Sequence, residues 1–95
     1  MRKFIFSPRA ALDLEEIGDY IARDNPQRAL SFLAELEAQC HRIAEMPSAF
    51  AKRDDIEPGL QMGVHGNYLI LFHAEGDTVR IERIVHGARR LQDLI

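Results

Sequence analysis

The side chains best suited to chemistry lie in the C-terminal third of the chain: His65, His73 and His86, with Arg80, Arg83 and Glu82 close by in sequence. Together they could serve phosphodiester cleavage. Attack by a ribose 2′-hydroxyl needs a base for that proton, an acid for the leaving oxygen and cations for the phosphate. Imidazoles titrate near neutral pH, and a guanidinium binds phosphate through a planar fork of donors. His86 is the foremost candidate, because it follows an apolar strand and stands between Arg83 and Arg89, with Arg80 and Arg83 as phosphate ligands. A structural role for His86, capping the strand or bonding to the backbone, outweighs the catalytic one. His65 falls in a turn, His65-Gly66-Asn67, and is expected to face solvent. His73 closes an apolar strand and is expected to be structural, and His41 borders an apolar helical stripe.

Other chemistries find less support. Cys40 is the only cysteine, which excludes an internal disulfide or a cysteine metal cluster. It sits on an apolar helical stripe, as a small buried hydrophobe does. No His/Cys/Asp/Glu spacing suggests a metal site. Gly59, Gly63 and Gly66 read as turn or strand-break glycines rather than a phosphate loop. No cofactor is implied.

These residues must be positioned by a chain of 95 residues, enough for one domain over residues 1–95. Residues 2–7 are short and apolar-aromatic and predict a strand. Ser7-Pro8 then predicts a helix start, with serine as N-cap and proline in the first turn. Ala10, Leu14, Ile17 and Ile21 repeat at helical spacing, and Asp13, Glu15, Glu16 and Asp19 are expected to favour the early turns through the helix dipole. Asn25-Pro26 restarts a second helix, whose stripe is Ala29, Leu33, Leu36, Cys40 and Ile43, with Phe32 and Ala44 flanking it. The short connection folds the two helices into an antiparallel hairpin. Residues 47–59 predict a loop. Three strands follow, around Leu60–Val64, Tyr68–His73 and from Val79 onward. Their short turns make them an antiparallel meander. Arg83 and Ile84 fall out of alternation with Val79 and Ile81, so a bulge is expected there. Ala88 to Leu94 predicts a short C-terminal helix. The fold class is therefore α+β: an N-terminal strand, a helix hairpin over one face of the sheet, a three-stranded meander and a short C-terminal helix.

Charge separates the chain into two halves. The net formal charge is −3 and the pI about 5.7, unlike a domain built chiefly to grip nucleic-acid phosphates. Residues 13–45 hold eight acidic and three basic side chains, whereas Arg80, Arg83, Arg89 and Arg90 oppose only Glu82 and Asp93 in residues 78–95. Two binding faces of different charge are expected. The basic face is Arg80, Arg83, His86, Arg89 and Arg90, joined by Arg53 and Lys52, with Arg83 alternatively an internal strut. Phe4, Leu12, Leu30 and Phe50 are apolar residues placed to form a second, apolar face. The N-terminal apolar stretch is too short for a signal peptide, and no run approaches the length of a membrane span. A reducing, cytoplasmic setting is expected.

The order of elements resembles the RelE/ParE toxin superfamily, and specific segments resemble its ParE branch. These are Ser7-Pro8 leading to Ala11, Asp13, Leu14, Ile17, Tyr20 and Ile21; Asn25-Pro26 followed by Ala29 and Phe32; Met46-Pro47 leading to Arg53; Pro58-Gly59-Leu60 and Gly66-x-Tyr68-Leu-Ile; and Val79 through Arg89. The resemblance implies the toxin of a type II toxin–antitoxin pair, of the kind that stabilises plasmids. It further implies inhibition of DNA gyrase by protein–protein contact through the basic face, no catalytic residues, and neutralisation by a ParD-like antitoxin on Phe4, Leu12, Leu30 and Phe50. The toxin and antitoxin would form a hetero-oligomer, with neither a membrane role nor sequence-specific nucleic-acid binding. Two alternatives stand beside this one. The first is a RelE-like ribosome-dependent mRNA endonuclease using His86, Arg83 and Arg80. The family's ribonucleases gather lysines and arginines on the sheet, with a tyrosine or histidine near the C-terminus, whereas here no tyrosine follows Tyr68 and neither Lys3 nor Lys52 lies in the three C-terminal strands. The second is a degenerate toxin that only binds antitoxin.

Overall fold

The computed structural model describes residues 3–87; the expected C-terminal helix, with Arg89 and Arg90, lies outside them. The helix hairpin forms as the sequence predicts. Strand β1 (Lys3–Phe6) leads into α1 (Pro8–Ala22), and α2 (Pro26–Glu45) follows. The Ser7 hydroxyl accepts from the Ala10 N–H, and the Asn25 side chain accepts from the Arg28 N–H. Each cap satisfies a donor that the helix cannot satisfy internally.

The loop expected over 47–59 is more ordered than its prolines suggest. It contains a 3-10 turn (Pro47–Ala49) and a two-residue strand, β2 (Ala51–Lys52). Strands β3 (Gln61–His65), β4 (Tyr68–Glu75) and β5 (Thr78–His86) form the expected meander. The sheet has five strands in the order β1-β5-β4-β3-β2. Strand β1 lies parallel to β5, placing Phe4 opposite Val79 and Phe6 opposite Ile81, while the other pairings are antiparallel. The helix hairpin is therefore the crossover that a parallel pair requires.

The main core lies between the helices and one sheet face. Ala10, Ile17, Leu36, Cys40 and Ile43 meet Ile70, Phe72, Val79, Ile81 and Ile84 there. Phe32 and Ala44, expected to flank the stripe, are buried in this core, while Leu14, Ile21 and Leu33 are only partly buried against it. A smaller cluster of Leu60, Leu71 and Val85 sits on the opposite face, beneath Ile56 of the 53–60 loop. Strand β4 is apolar on both faces for this reason. Gly63 is not a strand break: it lies inside β3, and a Cβ there would stand 2.8 Å from Ile43 Cδ1. Its lack of a side chain lets α2 approach the sheet.

The expected bulge is present. Phe72 faces Ile81 and Leu71 faces Arg83, so Glu82 is the extra residue. The extra residue restores Ile84 to the core face beside Val79 and Ile81.

Cys40 is fully buried, and desolvation of its thiolate, aided by Glu37, pushes its pKa up to about 12. The protonated thiol is thus favoured in the fold. The unfolded thiol ionises first as pH rises, so this contribution to stability is present below the ordinary thiol range and is lost as pH climbs toward the folded value. At pH 8 Cys40 is expected to react with a thiol reagent at least about 100-fold more slowly in the folded protein than in denaturant, because the thiolate is the nucleophile. Prompt labelling of the native protein would contradict this burial.

Candidate functional site

The sequence-nominated residues separate into three environments. The first is a hollow of about 460 Å³ lined by Ser7, Pro8, Arg9, Glu57, Arg80, Glu82 and Arg83. Three guanidinium groups reach it, and each has a carboxylate partner. Arg80 Nε donates to Glu82 at 3.1 Å. Arg9 approaches Asp13 at 3.4 Å. Arg83 donates to both carboxylate oxygens of Asp13, through Nε at 2.8 Å and Nη2 at 3.1 Å.

The Asp13–Arg83 pair lies inside the protein, with 3% and 8% of the two residues exposed. Asp13 Oδ2 also accepts from the Ile84 N–H at 2.9 Å. Strand β1 ends at Phe6, opposite Ile81, so β5 runs on past its parallel neighbour. The Asp13 carboxylate takes up a backbone donor of that continuation. The expectation that Asp13 serves the helix dipole is corrected: the first turn of α1 holds no acid, and Asp13 instead braces α1 against β5. Arg83 is thus the internal strut that was the alternative reading, not an open contact on a basic face.

His73 stands beside this hollow. Its Nδ1 is 2.9 Å from Glu82 and its Nε2 is 3.5 Å from Glu57. It ties the 53–60 loop to β5, which fits the structural role expected of it. Arg53 lies elsewhere, forked onto Asp55 at 2.9 and 3.0 Å. That hydrogen-bonded pair raises the Arg53 pKa and lowers that of Asp55.

The second environment surrounds His86. A hollow of about 700 Å³ is lined by Tyr20, Ile21, Arg28, Phe32, Gly66, Asn67, Tyr68 and His86. A smaller one, which shares Tyr20, Tyr68 and His86, continues past Glu16 and Asp13. The Tyr68 ring meets His86 edge-on at 5.4 Å and Phe32 at 5.5 Å. Burial, with a smaller contribution from Tyr20, raises the Tyr68 phenol pKa. The Arg28 guanidinium lies 5.1 Å above the Phe32 ring and is ion-paired to Glu35. Hydrogen bonds from Arg28 and then from His65 hold the Glu35 carboxyl below its usual range. His65 was expected to face solvent, but it is the last residue of β3, bonded to Glu35 at 2.9 Å and packed 5.4 Å from Phe32. His86 therefore lines a different hollow from Arg80 and Arg83, and the histidine and guanidinium groups proposed for RNA cleavage do not share one.

The third environment is the outer seam of the helix hairpin. Leu14, Gly18, Ala22, Pro26, Ala29, Leu30 and Leu33 line an apolar groove with Glu15 and Asp19 on its rim. A smaller hollow of Phe6, Leu14, Leu33 and Glu37 shares two of those leucines and carries the apolar strip toward β1. Gly18 keeps the seam narrow, because a Cβ there would meet Leu33 at 3.0 Å. Of the four apolar residues singled out in the sequence, only Leu30 lines this groove, and it is 73% exposed. Leu12 is exposed outside it. Phe4 packs on Phe6 and His41, and Phe50 on Phe72, so the four do not form one surface. Leu14 and Leu33 could have been found from the sequence only as core residues, since periodicity cannot tell a core stripe from the lip of a groove.

Among the described residues, no cluster of His, Cys, Asp and Glu could hold a metal ion, and no helix is long and apolar enough to cross a membrane.

This architecture, a helix-hairpin crossover packed on a bulged sheet with an apolar seam left open outside, is that of a small two-layer α+β toxin. The model of the family described as "ParE toxin of type II toxin-antitoxin system, parDE" matches residues 4–91, and the chain belongs to that family. A solved structure titled "Chromosomal ParDE TA system from P. aeruginosa" shares the fold, with a TM-score of 0.73 and 24% identity, covering 90% of this chain and 95% of that one. No curated protein matches the chain.

Proposed function

We propose that this toxin acts by protein–protein contact with DNA gyrase, trapping it on cleaved DNA, and that a ParD-like antitoxin neutralises it. The observation that carries the contact mechanism is the commitment of the arginines. Arg9, Arg80 and Arg83 each meet a carboxylate, and His86 stands in a separate hollow. An RNA-cleaving site would need cations open to phosphate and a free proton-transfer group at the same place, whereas the histidine beside the arginine hollow, His73, is held between Glu82 and Glu57. Family membership supports the antitoxin. The seam of Leu14, Leu30 and Leu33, rimmed by Glu15 and Asp19, suits the apolar face of an amphipathic helix with basic flanks.

Expression of the chain without its antitoxin is expected to induce the DNA-damage response, and purified gyrase is expected to accumulate cleaved DNA with it. Prompt translation arrest without DNA damage would replace this reading with the ribonuclease. Failure of both, with no effect on growth, would leave a protein that only binds antitoxin.

A further inference from the structure

We propose that the aromatic cleft of Tyr20, Phe32, Tyr68 and His86 is the surface that grips the toxin's target protein, and that its occupant is an aromatic side chain next to a basic one. The inference rests on the contact reading above and moves the contact from the arginine hollow to a separate one.

The cleft is built from four separate segments. Tyr20 comes from late in α1, Phe32 from α2, Tyr68 from the start of β4 and His86 from the end of β5. Each is anchored in an element of the hydrophobic core, so the floor exists before binding, which lowers the cost of association. Tyr20 is 66% exposed and makes no ring contact or hydrogen bond among the described residues. The Tyr68 hydroxyl likewise has no hydrogen-bond partner among them. A tyrosine left this exposed adds little to stability. At an interface, tyrosine offers a large, stiff contact area with a polar tip, and such residues dominate binding hot spots.

Charge selects the occupant. The adjoining hollow carries Glu16, 57% exposed and only 3.9 Å from Arg9. At the opposite end Arg28 is neutralised by Glu35. A phosphodiester strand laid here would meet an exposed carboxylate that Arg9 approaches only at 3.9 Å and a cation firmly hydrogen-bonded to Glu35, which disfavours stacked nucleic acid. An aromatic side chain finds edge and face contacts with three rings. A lysine or arginine beside it finds Glu16.

The test uses the whole chain. Titrated with an acetylated Lys-Trp-Lys tripeptide, it is expected to show shifts in the ring signals of Tyr20, Tyr68 and His86. Tyr20→Ala should weaken that binding about tenfold with little change in thermal stability, since the side chain is largely exposed. The same substitution should weaken growth arrest while leaving antitoxin affinity unchanged. Equal binding of a Lys-Ala-Lys tripeptide, or tighter binding of a single-stranded oligothymidylate at the same rings, would overturn the proposal. So would unaltered growth arrest in both Tyr20→Ala and Tyr20→Lys, or loss of antitoxin binding with arrest retained. The two readings fail separately. Absence of gyrase-cleaved DNA with the wild-type chain removes gyrase as target and leaves the peptide titration to decide the cleft, whereas gyrase poisoning that survives Tyr20→Ala removes the cleft alone.

Discussion

Asp13→Ala is expected to destabilise the protein by about 3–5 kcal/mol, because it leaves the buried Arg83 guanidinium without its carboxylate. Asp13 receives two Arg83 donors and the Ile84 N–H, so one truncation removes both the carboxylate that faces a buried charge and the acceptor of a backbone group. Small domains are held by only about 5–15 kcal/mol in total, so the loss is a large share of the stability. Replacing both members, Asp13→Ala with Arg83→Met, should recover part of the loss, since the buried charge is then gone while the Ile84 donor remains unmet. Denaturant titration of the two variants measures this directly. A double variant no more stable than Asp13→Ala would show that the bond to Ile84, rather than the charge pair, holds α1 to the sheet. The same result bears on function. Arg83 substitutions that abolish toxicity through unfolding say nothing about target contact, so the thermal midpoint must accompany any toxicity assay at this position.

Leu30→Asp is expected to weaken antitoxin binding at least about 30-fold, the effect of losing one hot-spot side chain worth 2 kcal/mol or more. Leu30 is largely exposed on the seam that it lines with Leu14 and Leu33. An exposed leucine contributes little to the fold, so the unfolding free energy should stay within about 0.5 kcal/mol of wild type. An aspartate would place a desolvated charge against an apolar partner face, at a rim where Glu15 and Asp19 already favour a basic flank. In cells, the variant should arrest growth even when the antitoxin is co-expressed. Calorimetric titration that returns wild-type affinity would exclude the hairpin seam as the antitoxin's seat. Leu12→Asp is the matched control, because Leu12 is exposed on the same hairpin outside the groove.

The local features of the sequence determined most of the architecture. Ser7-Pro8 and Asn25-Pro26 mark both helix starts, because capping oxygens and ring-constrained φ angles act within a few residues. The broken alternation at Arg83 and Ile84 marked the bulge, because a strand's two faces alternate strictly and one extra residue is the simplest way to return Ile84 to the core. The ParE resemblance was legible for the same reason: its motifs are mostly turns, caps and core positions. Tertiary structure alone decided which polar groups were used up within the fold. Asp13 and Arg83 stand 70 residues apart, and no spacing rule links a helix acid to an arginine on a strand that far along the chain. Likewise, the exposure of Leu30, the burial of Phe32 and the convergence of Tyr20 with Tyr68 and His86 depend on how the hairpin crosses the sheet. Periodicity specifies which face of a helix is apolar, but only packing specifies how much of that face the sheet covers, and the uncovered remainder is the surface available to partners.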